Sequence, residues 1–333
     1  MRPSLIVQVL EQSGVGEARR AAADLGRIQG LQTARLSDLA IVVTELASNL
    51  VKHTPSGGTL LLRPGPPGTV EVLSIDRGPG ISRVSEVLRD GYSTAGTPGT
   101  GLGAVFRLSD TVDLHTTSES GTVVFAELSE RKAVPEPLAF DIGAVQRSYP
   151  GETVCGDDWA FTLSRTVLRA AVADGLGHGL HAHEAARAAM RAFEEGSHLR
   201  PGELLRSLHQ ALRGTRGAVG AVATIDTTAG LIQFAGVGNI TGAVLGPSGS
   251  GRRGLLSHNG TLGQEVRKLQ EQDLPWTGAS VLVLHTDGLS GSWDLTSTPG
   301  LLRRRAAVIA GVLYRDYARE RDDATVLVVK ASA

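Results

Sequence analysis

The stretch AAVADGLGHGLHAHEAA, residues 170–186, joins two patterns. A short apolar run stops at Asp174, glycines follow at 175, 177 and 179, and a helical sequence, EAARAAMRAF, begins at Glu184. Strand, glycine turn and helix in that order put a carboxylate at a strand end with unhindered backbone beside it. His178, His181 and His183 share the window and raise a transition-metal reading. His181 and His183, two apart, point to different faces of any helix and make no ligand pair. Three more acidic clusters sit beside small residues: CGDDW (155–159), HTDGLSG (285–291) and RDDATVLVV (321–329). Asp is depleted in strand interiors, so four such clusters predict carboxylates gathered at one end of a sheet. An oxygen cage of that kind suits a pair of hard divalent ions. A zinc site on the histidines would leave the aspartates unexplained. His178 is therefore read as shaping the turn, and the other two as helix-start or surface residues.

The chain of 333 residues is long enough for about two domains. Lys and Arg number 33 against 34 Asp and Glu, a formal charge of −1 without a basic block, which argues against a general nucleic-acid or membrane-surface binder. One cysteine, Cys155, excludes a disulfide framework or a cysteine-based zinc site within the chain. No apolar run approaches the ~20 residues that span a bilayer, and the first residues carry no secretory pattern, so a cytoplasmic location is expected. The proline-containing stretch around 129–138 reads as a linker, with domains at 1–128 and 139–333. Before it lie a strand (SLIVQVLE), two helical patterns and two hairpin patterns, GTLLLRPGPPGTVEVLSIDRG and DTVDLHTTSESGTVVFAEL, which together predict an α+β unit. After it, four stretches read as strands and two, 182–195 and 201–213, as helices, predicting two β layers with helices outside.

In the first half, Glu45 and Asn49 stand four apart in VVTELASNLVKHT, on one helix face. DRGPG (76–80) follows a strand, and GTPGTGLG (96–103) comes later. In this order the residues resemble the GHKL (Bergerat-type) ATP-binding fold, an α/β sandwich, and within it the anti-sigma-factor serine kinases of the RsbT and RsbW type. LRDGYSTAGTPGTGLG (88–103) followed by GTVVF (121–125) is closest to the RsbT branch. The resemblance implies ATP and Mg²⁺ as cofactors. It makes Asn49 a Mg²⁺ ligand, Asp76 the acceptor for the adenine amino group, and Gly78 and Gly80 points of close approach to the base. Thr122 would add a contact near adenine, Gly99, Gly101 and Gly103 would form a flexible cover over the phosphates, and Glu45 would be the general base. The alternative is a domain that binds ATP without turning it over.

The second half resembles the metal-dependent protein serine/threonine phosphatases of the bacterial SpoIIE branch, an αββα sandwich, and most of all the RsbX type. DGLGHG (174–179) and DDATVLVV (322–329) carry the likeness. It implies two Mn²⁺ or Mg²⁺ ions. Asp174 would bridge them, with the Gly175 carbonyl and Asp157 on one ion, Asp158 beside it, and Asp287 and Asp322 on the other. The motif register leaves Asp322 or Asp323 open by one position and favours Asp322. Larger relatives carry a phosphate-binding arginine just before the first acidic motif; Thr153 stands there, and Arg147 is the nearest candidate.

Together the two likenesses imply a bifunctional partner-switching regulator. It would phosphorylate and dephosphorylate serine or threonine on STAS-domain anti-sigma-factor antagonists or stressosome-type proteins, with a sigma factor or a further phosphatase downstream, and would act on neither nucleic acid nor membrane. The alternative is a phosphatase whose first domain sequesters or activates a partner.

Overall fold

The computed structural model describes residues 4–82, 84, 101–130, 139–246, 251–295 and 298–332. Gly99 and residues 131–138 of the expected linker lie outside them. Internal contacts divide the chain into two units, Met1–Pro135 and Glu136–Ala333.

In the first unit the strands are β1 (Leu5–Val9), β2 (Gly58–Pro64), β3 (Thr69–Asp76), β4 (Thr111–Thr117) and β5 (Gly121–Ser129). They form one antiparallel sheet in the order β1-β2-β3-β5-β4. Helices α1 (Gln12–Ile28) and α2 (Thr33–His53) pack on it because their apolar residues recur at helical spacing. On α2 these are Leu39, Val42, Val43, Leu46, Ala47 and Leu50, all buried. Burying a side chain of this size contributes about 1.5–3 kcal/mol each. That fixes the helix roll and sets Glu45 and Asn49 at the edge of the buried stripe, each half-buried. One expectation is corrected. Gly101 and Gly103 belong to a helix, α3 (Gly101–Leu108), instead of a flexible cover, and Gly103 is buried there beside Leu102, Ala104 and Val105.

The second unit is a four-layer αββα sandwich. Its inner strands are β6 (Phe140–Arg147), β7 (Asp157–Leu163), β8 (Val167–Gly175), β9 (Ala218–Asp226), β10 (Leu231–Val237), β11 (Thr241–Leu245), β12 (Arg252–Leu255), β13 (Ser257–His258), β14 (Gln272–Pro275), β15 (Val281–His285) and β16 (Ala324–Ala331). One sheet runs β13-β10-β9-β8-β7 with β14 also on β10; the other runs β12-β11-β15-β16-β6. Trp159, Val172, Phe234, Leu284 and Leu327 are among the residues that fill the space between them. Helices α4 (Leu180–Glu195) and α5 (Pro201–Ala211) cover the outer face of the first sheet, α4 through Ala182, Ala185, Ala189 and Phe193. Small residues on both sides bring α4 so close that a Cβ at Gly175 would run into the Ala182 carbonyl.

α4's counterpart α6 (Ala306–Tyr317), which follows the arginines at 303–305, covers the other sheet and is buried along Ala306–Arg315. At its start, Asp141 of β6 accepts the Ala306 N–H at 2.8 Å and pairs with Arg305 at 3.3 Å. Among the described residues no helix is long and apolar enough to cross a membrane.

Candidate functional site

Two polar centres emerge, one in each unit. In the first, Asp76 ends β3 and its Oδ1 accepts the N–H of Gly78 at 2.8 Å and of Thr122 at 3.1 Å. The side chain thus closes its own turn and ties it to β5. Thr122 shares a hydroxyl hydrogen bond with Thr116 at 3.0 Å, and Thr116 Oγ1 accepts the Ile81 N–H at 2.8 Å. Sequence reading passed over Thr116, which faces Thr122 in the β4–β5 register. Glycine is required at 80: its φ is +68°, and a Cβ would strike the Thr117 carbonyl. A Cβ at Gly78 would lie 3.0 Å from Thr54 Oγ1 and 3.2 Å from the His53 carbonyl, so the turn sits against the C-terminal end of α2. Asn49 and Glu45 lie one and two helical turns back along α2. The centre therefore groups Asp76, Gly78, Gly80 and Thr122 around one turn, with α2 beside it.

In the second unit the carboxylates come from both sheets. Asp157 of β7 and Asp174 of β8 are direct cross-strand partners. Asp157 is 1% exposed, and its Oδ2 accepts the Thr286 hydroxyl at 2.7 Å across the seam between the sheets. Thr286 in turn accepts the Thr325 N–H at 3.0 Å, which locks the ends of β15 and β16 together. Asp287 follows directly and accepts the Asn239 side-chain N–H at 2.8 Å. Asn239 is not singled out by the sequence; the feature that could have marked it is its place in GVGNITG at the end of β10. His285, behind Asp287, is held by Trp293, whose indole N–H donates to His285 Nε2 at 2.9 Å. Burial lowers the pKa of His285, consistent with a neutral ring accepting that bond.

The aspartates lie within one another's electrostatic field. Burial first, then the charges of Asp287, Asp322 and Asp323, push Asp174 up to about 8. Asp157 is raised well above the carboxylate range by burial and then by Asp174. Asp322 is raised by burial and then by Asp287. Asp323 is buried; its Oδ1 accepts the Tyr149 N–H at 2.8 Å, while its Oδ2 has no hydrogen-bond partner. Gly156 makes room for it, since a Cβ there would stand 2.7 Å from Asp323 Oδ2. Asp323 thus spends one oxygen on the 147–152 loop, and Asp322 lies within the field of the Asp287 charge.

Asp158 is a correction. Strand alternation turns it to the opposite face of β7 from Asp157, where Oδ1 accepts the Trp159 N–H at 2.9 Å and Oδ2 lies 3.6 Å from Arg187 of α4. It stands apart from the carboxylate row. Arg147 is committed too: its guanidinium donates to the carbonyls of Arg319 and Asp322 and so braces the loop that carries Asp322. The histidines do not gather. His178 pairs with Glu152 at 2.7 Å and stacks on Tyr149, His181 pairs with Glu184, and His183 Nδ1 meets the Cys155 carbonyl at 2.9 Å. The Cys155 thiol is pushed up by burial and then by Asp157 and Asp323, which makes it a poor nucleophile.

Among the described residues, no three acidic, histidine or cysteine side chains already close on one point as a metal site. The donor chemistry nevertheless fits divalent cations. Asp157 Oδ1 and Asp323 Oδ2 are buried oxygens without a hydrogen-bond partner, and mutual repulsion raises the pKa of Asp174. A positive charge would relieve both conditions.

Comparison with known proteins bears on each unit separately. Residues 164–332 match the profile of Stage II sporulation protein E (SpoIIE), and residues 10–127 that of the histidine kinase-like ATPase domain. The phosphoserine phosphatase RsbX of Bacillus subtilis (strain 168) is 28% identical over 145 residues, 44% of this chain and 72% of RsbX. The serine/threonine-protein kinase RsbT of the same organism is 27% identical over 128 residues, 38% of this chain and 96% of RsbT. Among solved structures, one concerning the bacterial stressosome as a modular system that controls secondary messenger signalling is 30% identical, with a TM-score of 0.53. It covers 57% of this chain and 99% of its own. RsbX in complex with magnesium is 26% identical, with a TM-score of 0.52 over 60% of this chain and 99% of its own.

Proposed function

The chain belongs to the SpoIIE family, and from that premise we propose a regulator with two opposed activities. Its second unit, residues 139–333, is a metal-dependent protein serine/threonine phosphatase; its first, residues 1–128, is an ATP-dependent serine kinase. Both act on STAS-domain proteins of a partner-switching pathway in the cytoplasm. Similarity to a phosphoserine phosphatase and to a serine kinase, one in each half, supports the pairing.

The observation that carries the phosphatase reading is the cross-strand pair Asp157 and Asp174, within the field of Asp287 and Asp322, with the orphaned Asp157 Oδ1 in it and the orphaned Asp323 Oδ2 beside it. Asp157, Asp174 and the Gly175 carbonyl would hold one divalent ion, and Asp174, Asp287 and Asp322 the other. When bound, such a pair lowers the pKa of a bridging water toward neutrality and balances charge on a phosphoryl group during in-line attack. The protein's own part is to hold its oxygens still. Thr286 fixes the Asp157 carboxylate, Asn239 fixes that of Asp287, and Arg147 braces the Asp322 backbone.

In the first unit, Asp76, oriented by the Gly78 and Thr122 amides, accepts from the adenine amino group. Gly78 and Gly80 keep Cβ atoms out of the way, Asn49 serves Mg²⁺, and the free N–H groups at the start of α3 face the phosphates. Glu45 takes the proton from the attacking serine hydroxyl. The test is incubation with labelled ATP, Mg²⁺ and a purified STAS-domain protein, using Asp174→Asn to silence the second unit. Label is expected on a substrate serine, and Glu45→Ala should abolish it while nucleotide binding persists. ATP bound with no transfer under any condition would reduce the first unit to a binding module.

A further inference from the structure

A groove on the second unit, outside the carboxylate row, is lined by basic and apolar residues. It lies between α5 and the 264–269 segment, has a volume of about 360 Å³, and is lined by Arg206, His209, Arg213, Lys268, Val266 and Leu269 among others. Arg206, Arg213 and Lys268 are exposed, and among the described residues none of the three has an acidic partner. The nearby acids are already engaged: Glu265 with Arg267 at 2.7 Å, Glu271 with Arg200 at 2.8 Å, and Glu203 on the Arg200 N–H at 3.2 Å. On a chain whose net charge is −1, three unneutralised cations over a partly apolar floor form a local positive field.

The groove also leads somewhere. Its 260s wall is stitched to α5 by the Gly263 N–H on His209 Nδ1 at 3.2 Å, and to Arg216 by Gln264 donating to the Arg216 carbonyl at 2.6 Å. Arg216 reaches over the glycine turn that follows Asp174: a Cβ at Gly177 would lie 3.3 Å from its Nη1. The Leu176 N–H on the Gly217 carbonyl, 3.1 Å, fastens that turn to the same backbone. Arg216, beside the turn that follows Asp174, and Arg213, Arg206 and Lys268, which line the groove, are taken together as one cationic track.

We propose that this track docks an acidic segment of the phosphoprotein substrate, flanking the phosphoserine that enters the carboxylate row, with Arg216 nearest the phosphate. The occupant follows from charge complementarity and from the track's inner end, which meets the residues assigned to dephosphorylation. The assignment rests on the phosphatase reading above. Thr153 leaves the usual arginine position empty of charge and Arg147 is spent on carbonyls, so Arg216 takes the place of a phosphate-facing cation. Each exposed charge contact contributes little, but three together amount to about tenfold in affinity.

Two synthetic phosphoserine peptides of equal length test this, one flanked by aspartates and one by asparagines, each fluorescein-labelled. Binding is read by anisotropy with a chelator present, and hydrolysis by phosphate release with Mn²⁺. Wild-type protein should bind the acidic peptide about tenfold more tightly, with the preference lost as ionic strength approaches ~1 M. The triple variant Arg206→Gln, Arg213→Gln, Lys268→Gln should abolish that preference, and Arg216→Gln should raise KM for the acidic peptide. Arg216→Lys should recover part of that loss. Equal binding of the two peptides, or a preference that survives the triple variant, overturns the proposal. So does tighter binding of a single-stranded RNA than of the acidic peptide. Acidic-peptide binding that depends on the track without any hydrolysis would break the phosphatase reading and leave the docking track standing. Hydrolysis of both peptides at one rate with equal affinity would do the reverse.

Discussion

Asp76 and Asp157 are both aspartates at strand ends, yet their surroundings treat them in opposite ways. Asp76 is half-buried and receives two backbone N–H groups on one oxygen. Asp157 is wholly enclosed, receives one hydroxyl, keeps one oxygen without a partner and faces another carboxylate across the strand pair. The first carboxylate is prepared to accept a hydrogen bond from a neutral group such as an adenine amine. The second keeps an oxygen that a cation would complete on the proposed reading. On the proposed reading the same side chain would serve base recognition in one unit and ion binding in the other, and the difference lies in the donors supplied by its neighbours.

The sharpest way to break this contrast is to remove a carboxylate from the row. Asp174→Asn should lower hydrolysis of p-nitrophenyl phosphate with Mn²⁺ by more than ~100-fold, beyond the ~10–100-fold typical of residues that only orient a ligand. Turnover at the wild-type rate would remove the ion-binding account. In the first unit, Asp76→Ala leaves the Gly78 and Thr122 amides without their acceptor, a loss of about 1–3 kcal/mol. ATP should therefore bind about tenfold more weakly or worse, measured by calorimetry, and unchanged affinity would detach adenine from that turn.

The smallest effect is thermal. The Asp174 carboxyl is lifted to about 8 from 3.8, so the folded chain retains a proton that the unfolded chain has released. Stability from this group is therefore greatest in acid and is lost as pH climbs from about 4 toward 8 in metal-free buffer. Mg²⁺ or Mn²⁺ should raise the Tm of the second unit by a few degrees, and by more near pH 8 than near pH 6, because the ions displace protons. A metal-free melting curve indifferent to pH across that window would count against the buried row.

Much of this could be read from the chain itself, and the exceptions have physical causes. Helices α1, α2, α4 and α5 and both hairpins of the first unit announce themselves by period, since each buries one face. Helix α6 carries no such stripe because it is enclosed nearly all round, and AAVIAGVLY shows only an apolar run. Helix α3 hides behind Gly101 and Gly103, whose low helix propensity is overridden by burial of Leu102 and Val105. At the second centre, the strand-end positions of Asp157, Asp174, Asp287 and Asp322 were legible because Asp interrupts apolar strands. Asp158 was misplaced although alternation along β7 already separates it from Asp157. Asn239 was missed because its partner, Asp287, is 48 residues away and no local pattern joins them.

The Thr286 hydroxyl, which spans the seam to Asp157, has a consequence for how such a protein can change over time. Neither layer of the sandwich owns the chemistry, so duplicating, trimming or swapping one sheet would inherit half a set of oxygens and nothing to position them. Descendants of this fold must pass on the two sheets as a single heirloom.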